Sequence, residues 1–369
     1  HNRCINVDDT RILFVLHLPP PVHGSAMVGK YIKDSPLVNS TFDAKFINLS
    51  TSKTIEEIGK KPYLKVSRYL KILYQVVIRL IEENPGTVYL AINAKDFGFY
   101  KDYPIAVLAK LFRKKLVLHY HNKGVRTNQH NFLDSILYRK LFKNSKLILL
   151  SEYLYHDVKK FVERENVFLC PNGIPVLNTE QEDLFGNNMV TQLLFLSNLM
   201  ESKGVLVLLG ALKILKENGI KFHCNIVGGE GDISSRRLKK KIADLHLEEY
   251  VTYLGVKYGN DKYEIFKASD LFLFPTLNDC FPLVLLEAMM FGLPVISTNE
   301  GGIPDIVRNS ETGFVIDRQN SNQLAEKINW FIDNPEQAVL FGKNGKEHFL
   351  GKYTLEVFEK RLTHVLKQI

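Results

Sequence analysis

Asp279 and Glu287, two acids eight positions apart, are the residues whose type and spacing most directly suggest chemistry. They lie in DLFLFPTLNDCFPLVLLEAMMFGLP, residues 270–294. The apolar run Leu271–Phe274 predicts a buried strand. Thr276–Cys280 is polar and turn-rich. Pro282 suits the first helical position, where its missing N–H costs nothing. Gly292 and Pro294 predict the helix end. Between Phe281 and Phe291 only Glu287 is polar, so this helix is expected to be buried. A lone carboxylate there needs a hydrogen-bonding partner. Two readings are open. In one, Asp279 caps or flanks the helix and Glu287 pairs with an Arg or Lys in the core. In the other, a phosphate docks at the helix N-terminus, where unpaired amides and the dipole favour an anion. Glu287 then grips a vicinal diol, such as that of a ribose, with its two acceptor oxygens.

Other residues could take part. His119 and His121 lie two apart and share one face of an expected strand. That spacing suits a metal, but no acidic or cysteine ligand stands nearby in sequence, so no metal is expected. His119 reads as a core histidine and His121 as the one facing the loop. Gly24, in LPPPVHGSA after the apolar run 11–17, marks a turn where backbone approaches a ligand. A Pro-rich turn explains the loop nearly as well, and no G-x-G-x-x-G is present. Lys203 precedes Gly204 in a loop after the apolar run 192–199, and Asn198 lies five residues earlier. The stretch 222–231 runs into a Gly-rich loop whose amides suit a nucleotide.

These residues must be held by alternating strands and helices. Apolar runs at 46–49, 88–92, 116–122, 146–151, 192–199, 222–227, 251–255, 294–298 and 312–316 predict strands. Helices are expected between them, among them Pro104–Phe112 and Val205–Asn218. The rhythm implies parallel sheets covered by helices on both faces. With 369 residues the chain is long enough for two domains. The turn Pro171-Asn172-Gly173 and the polar stretch 178–188 predict the boundary. The expected domains are 1–178 and 189–349, with a last helix at about 350–369 crossing back onto the first.

Bulk properties narrow the class. The chain is 45% hydrophobic and 24% charged, as an ordinary globular protein is. No stretch is long and apolar enough to cross a bilayer, and no secretory leader is recognised. The four cysteines are far apart, with no C-x-x-C, which fits a reducing cytosol. The net charge of +8 is uneven: residues 1–178 carry 27 Lys and Arg against 15 Asp and Glu, the remainder 21 against 25. A basic first half attracts something anionic, or is merely a solvated surface. Residues 60–81 predict a helix in which Lys65, Arg68 and Lys71 recur at helical spacing. That suits a membrane-surface face. The favoured reading is a packed helix whose cations are in water, because 75–81 reads as core.

The run D-C-F-P-L-V-L-L-E-A-M resembles the E-x7-E signature of family-4 (group 1) glycosyltransferases of the GT-B fold. The resemblance extends over nearly the whole chain and is strongest from Leu194 to Ile316. It implies an α/β protein with two Rossmann-like domains, their parallel sheets facing across a cleft. It implies sugar transfer from a nucleotide-sugar donor to an acceptor hydroxyl, with retention and without a metal or cofactor. By the same resemblance Glu287 holds the ribose, and Asp279, where the family usually has Glu, holds donor-sugar hydroxyls. Lys203 neutralises the diphosphate. Asn198 stands where the family usually has Arg and can donate a hydrogen bond but no charge. His121 approaches the donor sugar, and the Gly24 loop lies beside donor and acceptor. In the usual mechanism the departing phosphate oxygen helps remove the acceptor proton, so Asp279 and His121 position and polarise. A glycan or lipid-linked acceptor of surface polysaccharide, an anionic membrane surface, a cytoplasmic location and no nucleic acid are the expectations. The alternatives are a sugar-nucleotide-binding protein without turnover and a nucleotide-sugar epimerase.

Overall fold

The computed structural model describes residues 10–51, 62–177 and 190–369. The stretch 178–188 and the Lys65 side chain lie outside the described residues. The chain divides into two compact units, one reaching Asn172 and regaining Leu355–Ile369, the other Gly173–Thr354. The division therefore falls inside the Pro171-Asn172-Gly173 turn.

The first unit runs β1 (Arg11–Leu16), α1 (Gly24–Asp34), α2 (Pro36–Thr41), β2 (Asp43–Asn48), α3 (Pro62–Glu82), β3 (Thr87–Ile92), α4 (Asp96–Leu111), β4 (Lys115–Tyr120), α5 (Phe132–Phe142), β5 (Ser145–Leu149) and β6 (Val167–Leu169). Its six strands are all parallel, in the order β2-β1-β3-β4-β5-β6. Every residue of β3 is buried, as expected of a strand covered on both faces. The steps β2→β3, β3→β4 and β4→β5 run the same way across the sheet. Right-handed crossovers then put α3, α4 and α5 together on one face and α1 and α2 on the other. The contacts agree: α3 touches α4, and α4 touches α5.

The second unit runs β7 (Thr191–Leu196), α6 (Val205–Glu217), β8 (Phe222–Val227), α7 (Ser235–Asp244), β9 (Val251–Gly255), α8 (Gly259–Lys267), β10 (Leu271–Phe274), α9 (Leu283–Met290), β11 (Val295–Thr298), β12 (Gly313–Ile316), α10 (Ser321–Asp333) and α11 (Pro335–Lys352). Its sheet is also six-stranded and parallel, ordered β12-β11-β10-β7-β8-β9. β10 and β11 are buried at every position. The last helix, α12 (Leu355–Gln368), belongs to the first unit, packs against α2, and donates from Arg361 Nη1 to the Pro171 carbonyl (3.1 Å).

Local pattern and structure part in three places. The helix expected from Pro104 starts at Asp96, with Pro104 inside it. Burial of Phe99, Ile105 and Ala109 outweighs the hydrogen bond that proline forfeits. Pro282 is the N-cap of α9 rather than its first residue. Of 75–81, Val76 and Leu80 are buried but Ile81 is 60% exposed, so α3 is only partly a core helix.

Candidate active site

In the second unit β7, the first strand, pairs with β8 on one side and β10 on the other. The direction in which successive strands are added reverses there, and the loops leaving the carboxyl ends of β7 and β10 border the crevice where such sheets bind ligands. The two loops are stitched together. The Ser202 carbonyl accepts from Leu277 N (2.8 Å), Asn278 N (3.1 Å) and Thr276 Oγ1 (3.1 Å). Gly204 makes the approach possible: its φ is +83°, and a Cβ would lie 1.8 Å from the Pro275 carbonyl oxygen.

That stitching brings Lys203 to Asp279. Lys203 Nζ lies 2.6 Å from Asp279 Oδ2 and donates to the Asn278 carbonyl (3.2 Å). Asp279 Oδ1 accepts from Cys280 N (2.8 Å). No side chain caps α9, so Asp279 flanks the helix start without closing it. The loop after β11 arrives as well. Gly302 N donates to the Cys280 carbonyl (2.7 Å), and a Cβ on Gly301, φ +54°, would lie 2.3 Å from the Asp279 carbonyl oxygen. Beside this cluster is a cavity of about 480 Å³ lined by Leu277, Asn299, Asp317, Arg318 and Gln319. Asn198 is exposed on the loop after β7. The Gly-rich loop after β8 closes on it: a Cβ on Gly228 would strike the Ser197 carbonyl oxygen at 1.8 Å.

Glu287 projects from α9 toward α8. Its Oε1 lies 2.6 Å from Lys262 Nζ. The pairing with a basic residue, one of the two readings open from sequence, is thus present. The stacked rings of Phe266 and Phe291, 5.1 Å apart, fix α8 against α9. The carboxylate is not used up. Oε2 has no hydrogen-bond partner among the described residues, and the side chain is 21% exposed.

In the first unit His121 follows β4 directly, and its ring centroid is 4.1 Å from that of His119. His119 is fully buried, with Nδ1 bonded to the Tyr89 hydroxyl. His119 Nε2 and His121 Nδ1 are buried and unpartnered. Burial, and then the neighbouring His23, lowers the His121 pKa to about 4. Burial, with Lys101, His23 and His121 adding to it, lowers that of His17 to about 3. These imidazoles are neutral at pH 7 and can donate or accept hydrogen bonds but carry no charge. His23 caps α1 by accepting from Ala26 N. Gly24 is the first residue of that helix, with nothing within 4 Å of where a Cβ would be. The contact that demands glycine is at Gly29, whose Cβ would fall 2.0 Å from the His17 carbonyl oxygen. Among the described residues no three His, Cys, Asp or Glu side chains gather as metal ligands.

Residues 176–348 match the family described as glycosyl transferases group 1. The match takes in just under half of the chain, 173 of 369 residues. The chain is 26% identical over 243 residues to the putative colanic acid biosynthesis glycosyltransferase WcaL of Escherichia coli (strain K12), covering 63% of this chain and 59% of that protein. It is 24% identical over 313 residues to the capsular polysaccharide biosynthesis glycosyltransferase CapM of Staphylococcus aureus, covering 79% of each. Among solved structures, Anabaena HepE in complex with UDP superposes with a TM-score of 0.74 at 17% identity, over 98% of this chain and 100% of that one. The fold is GT-B. Of the residues singled out from sequence, Asp279 and Lys203 are brought together; Lys262 beside Glu287, Gly301 beside Asp279 and Arg318 on the cavity were not singled out. Lys262 sits in an ordinary polar helix and carries no local signal.

Proposed function

We propose that this glycosyltransferase moves a sugar from a nucleotide-sugar to an acceptor hydroxyl, with retention and without a metal, in the assembly of a surface polysaccharide or glycolipid at the inner face of the membrane. The observation that carries the proposal is the crevice between the loops after β7 and β10. There one lysine, one aspartate and an uncapped helix N-terminus converge, and Glu287 keeps a free oxygen on the same helix. Glu287 Oε2 grips the ribose. Lys203, Asn198 and the α9 amides receive the diphosphate, whose negative charge grows as it leaves. Asp279 orients sugar hydroxyls once the incoming phosphate draws Lys203 away. In the first unit, taken by itself, neutral His121 can donate or accept a hydrogen bond, and nothing lies within 4 Å of where a Cβ on Gly24 would be. The names of the relatives in colanic acid and capsular polysaccharide biosynthesis support a glycan or lipid-linked acceptor. The UDP in the HepE structure supports a nucleotide donor.

The test is incubation with a panel of nucleotide-sugars, following release of nucleoside diphosphate and the anomeric configuration of the transferred sugar. Steady release is expected. Binding without release would favour a non-catalytic protein, and an altered sugar still bound to its nucleotide an epimerase.

A further inference from the structure

Helix α7 carries a charge that its own fold does not use. Its sequence, SRRLKKKIAD, holds Arg236, Arg237, Lys239, Lys240 and Lys241 against a single acid, Asp244. Only Leu238 and Ile242 are buried, and every one of these cations is exposed. Among the described residues none of their side chains is hydrogen-bonded or ion-paired. The order of charge also opposes the helix dipole, which favours acids in the first turn and cations in the last. Here Arg236 and Arg237 stand in the first turn and Asp244 at the end. Arg236 and Lys240, and likewise Arg237 and Lys241, are one turn apart, where like charges repel. The rest of the second unit does not share the excess, since residues 179–369 carry 21 Lys and Arg against 25 Asp and Glu. A helix that breaks local rules and gains nothing inside the fold points to a ligand.

The helix starts beside the candidate site. The loop after β8, which leads into α7, is tied to the loop after β7. Leu199 N donates to the Gly229 carbonyl (2.7 Å), Ile233 N to the Leu199 carbonyl (3.0 Å) and Glu201 N to Asp232 Oδ1 (2.9 Å). The loop after β7 also carries Asn198 and Lys203. A ligand lying along α7 therefore ends at the loops assigned to the donor. Chemistry selects the ligand. Its groups are anionic, and a helix about 15 Å long matches several of them in a row. The exposed face has no aromatic ring on which a nucleobase could stack. It has no apolar anchor for a protein partner or a bilayer, because Leu238 and Ile242 are buried in the fold. A hydrophilic polyanion fits what remains, and in sugar transfer the reactant of that length is the acceptor glycan.

We propose that α7 binds an acidic glycan, whose carboxylates or phosphates pair with Arg236, Lys239 and Lys240, and leads it toward the crevice of the second unit. These three cations, at i, i+3 and i+4, share one side of the helix. The proposal rests on the reading of the chain as a glycosyltransferase and narrows its acceptor to an anionic polymer.

The experiment is calorimetric binding by the whole chain at low and high salt. The probes are oligogalacturonate, a glycerol phosphate polymer, a neutral malto-oligosaccharide and oligothymidylate, all of similar length. Binding of an acidic polymer at low salt is expected, with the malto-oligosaccharide left unbound. Preference between the first two probes identifies carboxylate or phosphate as the group recognised. Arg236→Gln, Lys239→Gln and Lys240→Gln together should weaken that binding by roughly tenfold or more. Glutamine is a good helix former and relieves the repulsion, so the urea midpoint should hold or rise. Nucleoside diphosphate affinity should be unchanged. An equal fall in that affinity would assign these cations to the donor and overturn the proposal. So would equal binding of the acidic polymers by wild type and triple variant, or tighter binding of oligothymidylate than of either. Binding is read without turnover, so an absence of sugar transfer would count against the proposed activity and not against the acidic-glycan site.

Discussion

Glu287 shares one carboxylate oxygen with Lys262, and the other has no hydrogen-bond partner among the described residues. Glu287→Gln keeps the shape of the side chain but loses charge. A charged hydrogen bond is worth about 1.5–3 kcal/mol, so nucleoside diphosphate affinity should fall by roughly ten- to a hundredfold. Calorimetry measures it, and unchanged affinity with an intact fold would end the ribose assignment. The histidines of the first unit make a separate prediction. His17 and His121 are held at about 3 and 4, below the 6.5 expected in the unfolded chain. Above pH 6.5 neither state is protonated there, and these groups leave stability unaffected. Below it the unfolded chain takes up protons that the folded one refuses, so stability is lost as pH falls from 6.5 toward 4. At pH 5 the loss is about 2 kcal/mol for each such histidine. Urea unfolding at pH 7 and pH 5 measures it, and His121→Asn should flatten the slope.

At the scale of elements the site depends on how closely loops approach. Gly204→Ala forces a Cβ toward the Pro275 carbonyl at a positive φ. Strain of this kind costs about 1–3 kcal/mol or parts the two loops. Either outcome should lower the urea midpoint and weaken nucleoside diphosphate binding. Gly24→Ala is the contrast. It stands at a helix start with open space around it, so stability should hold or rise by about 0.4–1 kcal/mol. If substrate passes over Gly24, the same change should raise the donor KM. A variant with unaltered kinetics would take this loop out of the site.

At the scale of the whole molecule the prediction concerns metal. In the proposed reaction the charge of a leaving diphosphate would be met by Lys203, by the α9 N-terminus and by neutral donors, without a divalent ion. Activity should survive EDTA. Loss on chelation, restored by magnesium or manganese, would show that a cation does what is assigned here to Lys203.

The sequence by itself determined what repeats locally. Apolar runs of four or five residues, such as 271–274 and 88–92, are parallel strands because both faces are covered. Gly292 ends α9 with a φ of +71°, a conformation that few other residues accept. Asp279, Glu287 and Lys203 were legible because each sits at a fixed place in a strand–loop–helix unit. Their partners were not. That Lys203 meets Asp279 across 76 residues follows from β7 lying beside β10, and strand order is a long-range choice that no local period encodes. Lys262 reaches Glu287 from a separate helix for the same reason. The run 75–81 of α3, read as core, misled in the opposite sense, since Ile81 is exposed. Its period shows that one side is buried, but only the packing of α4 beside it decides which apolar residues the sheet covers and which remain in water.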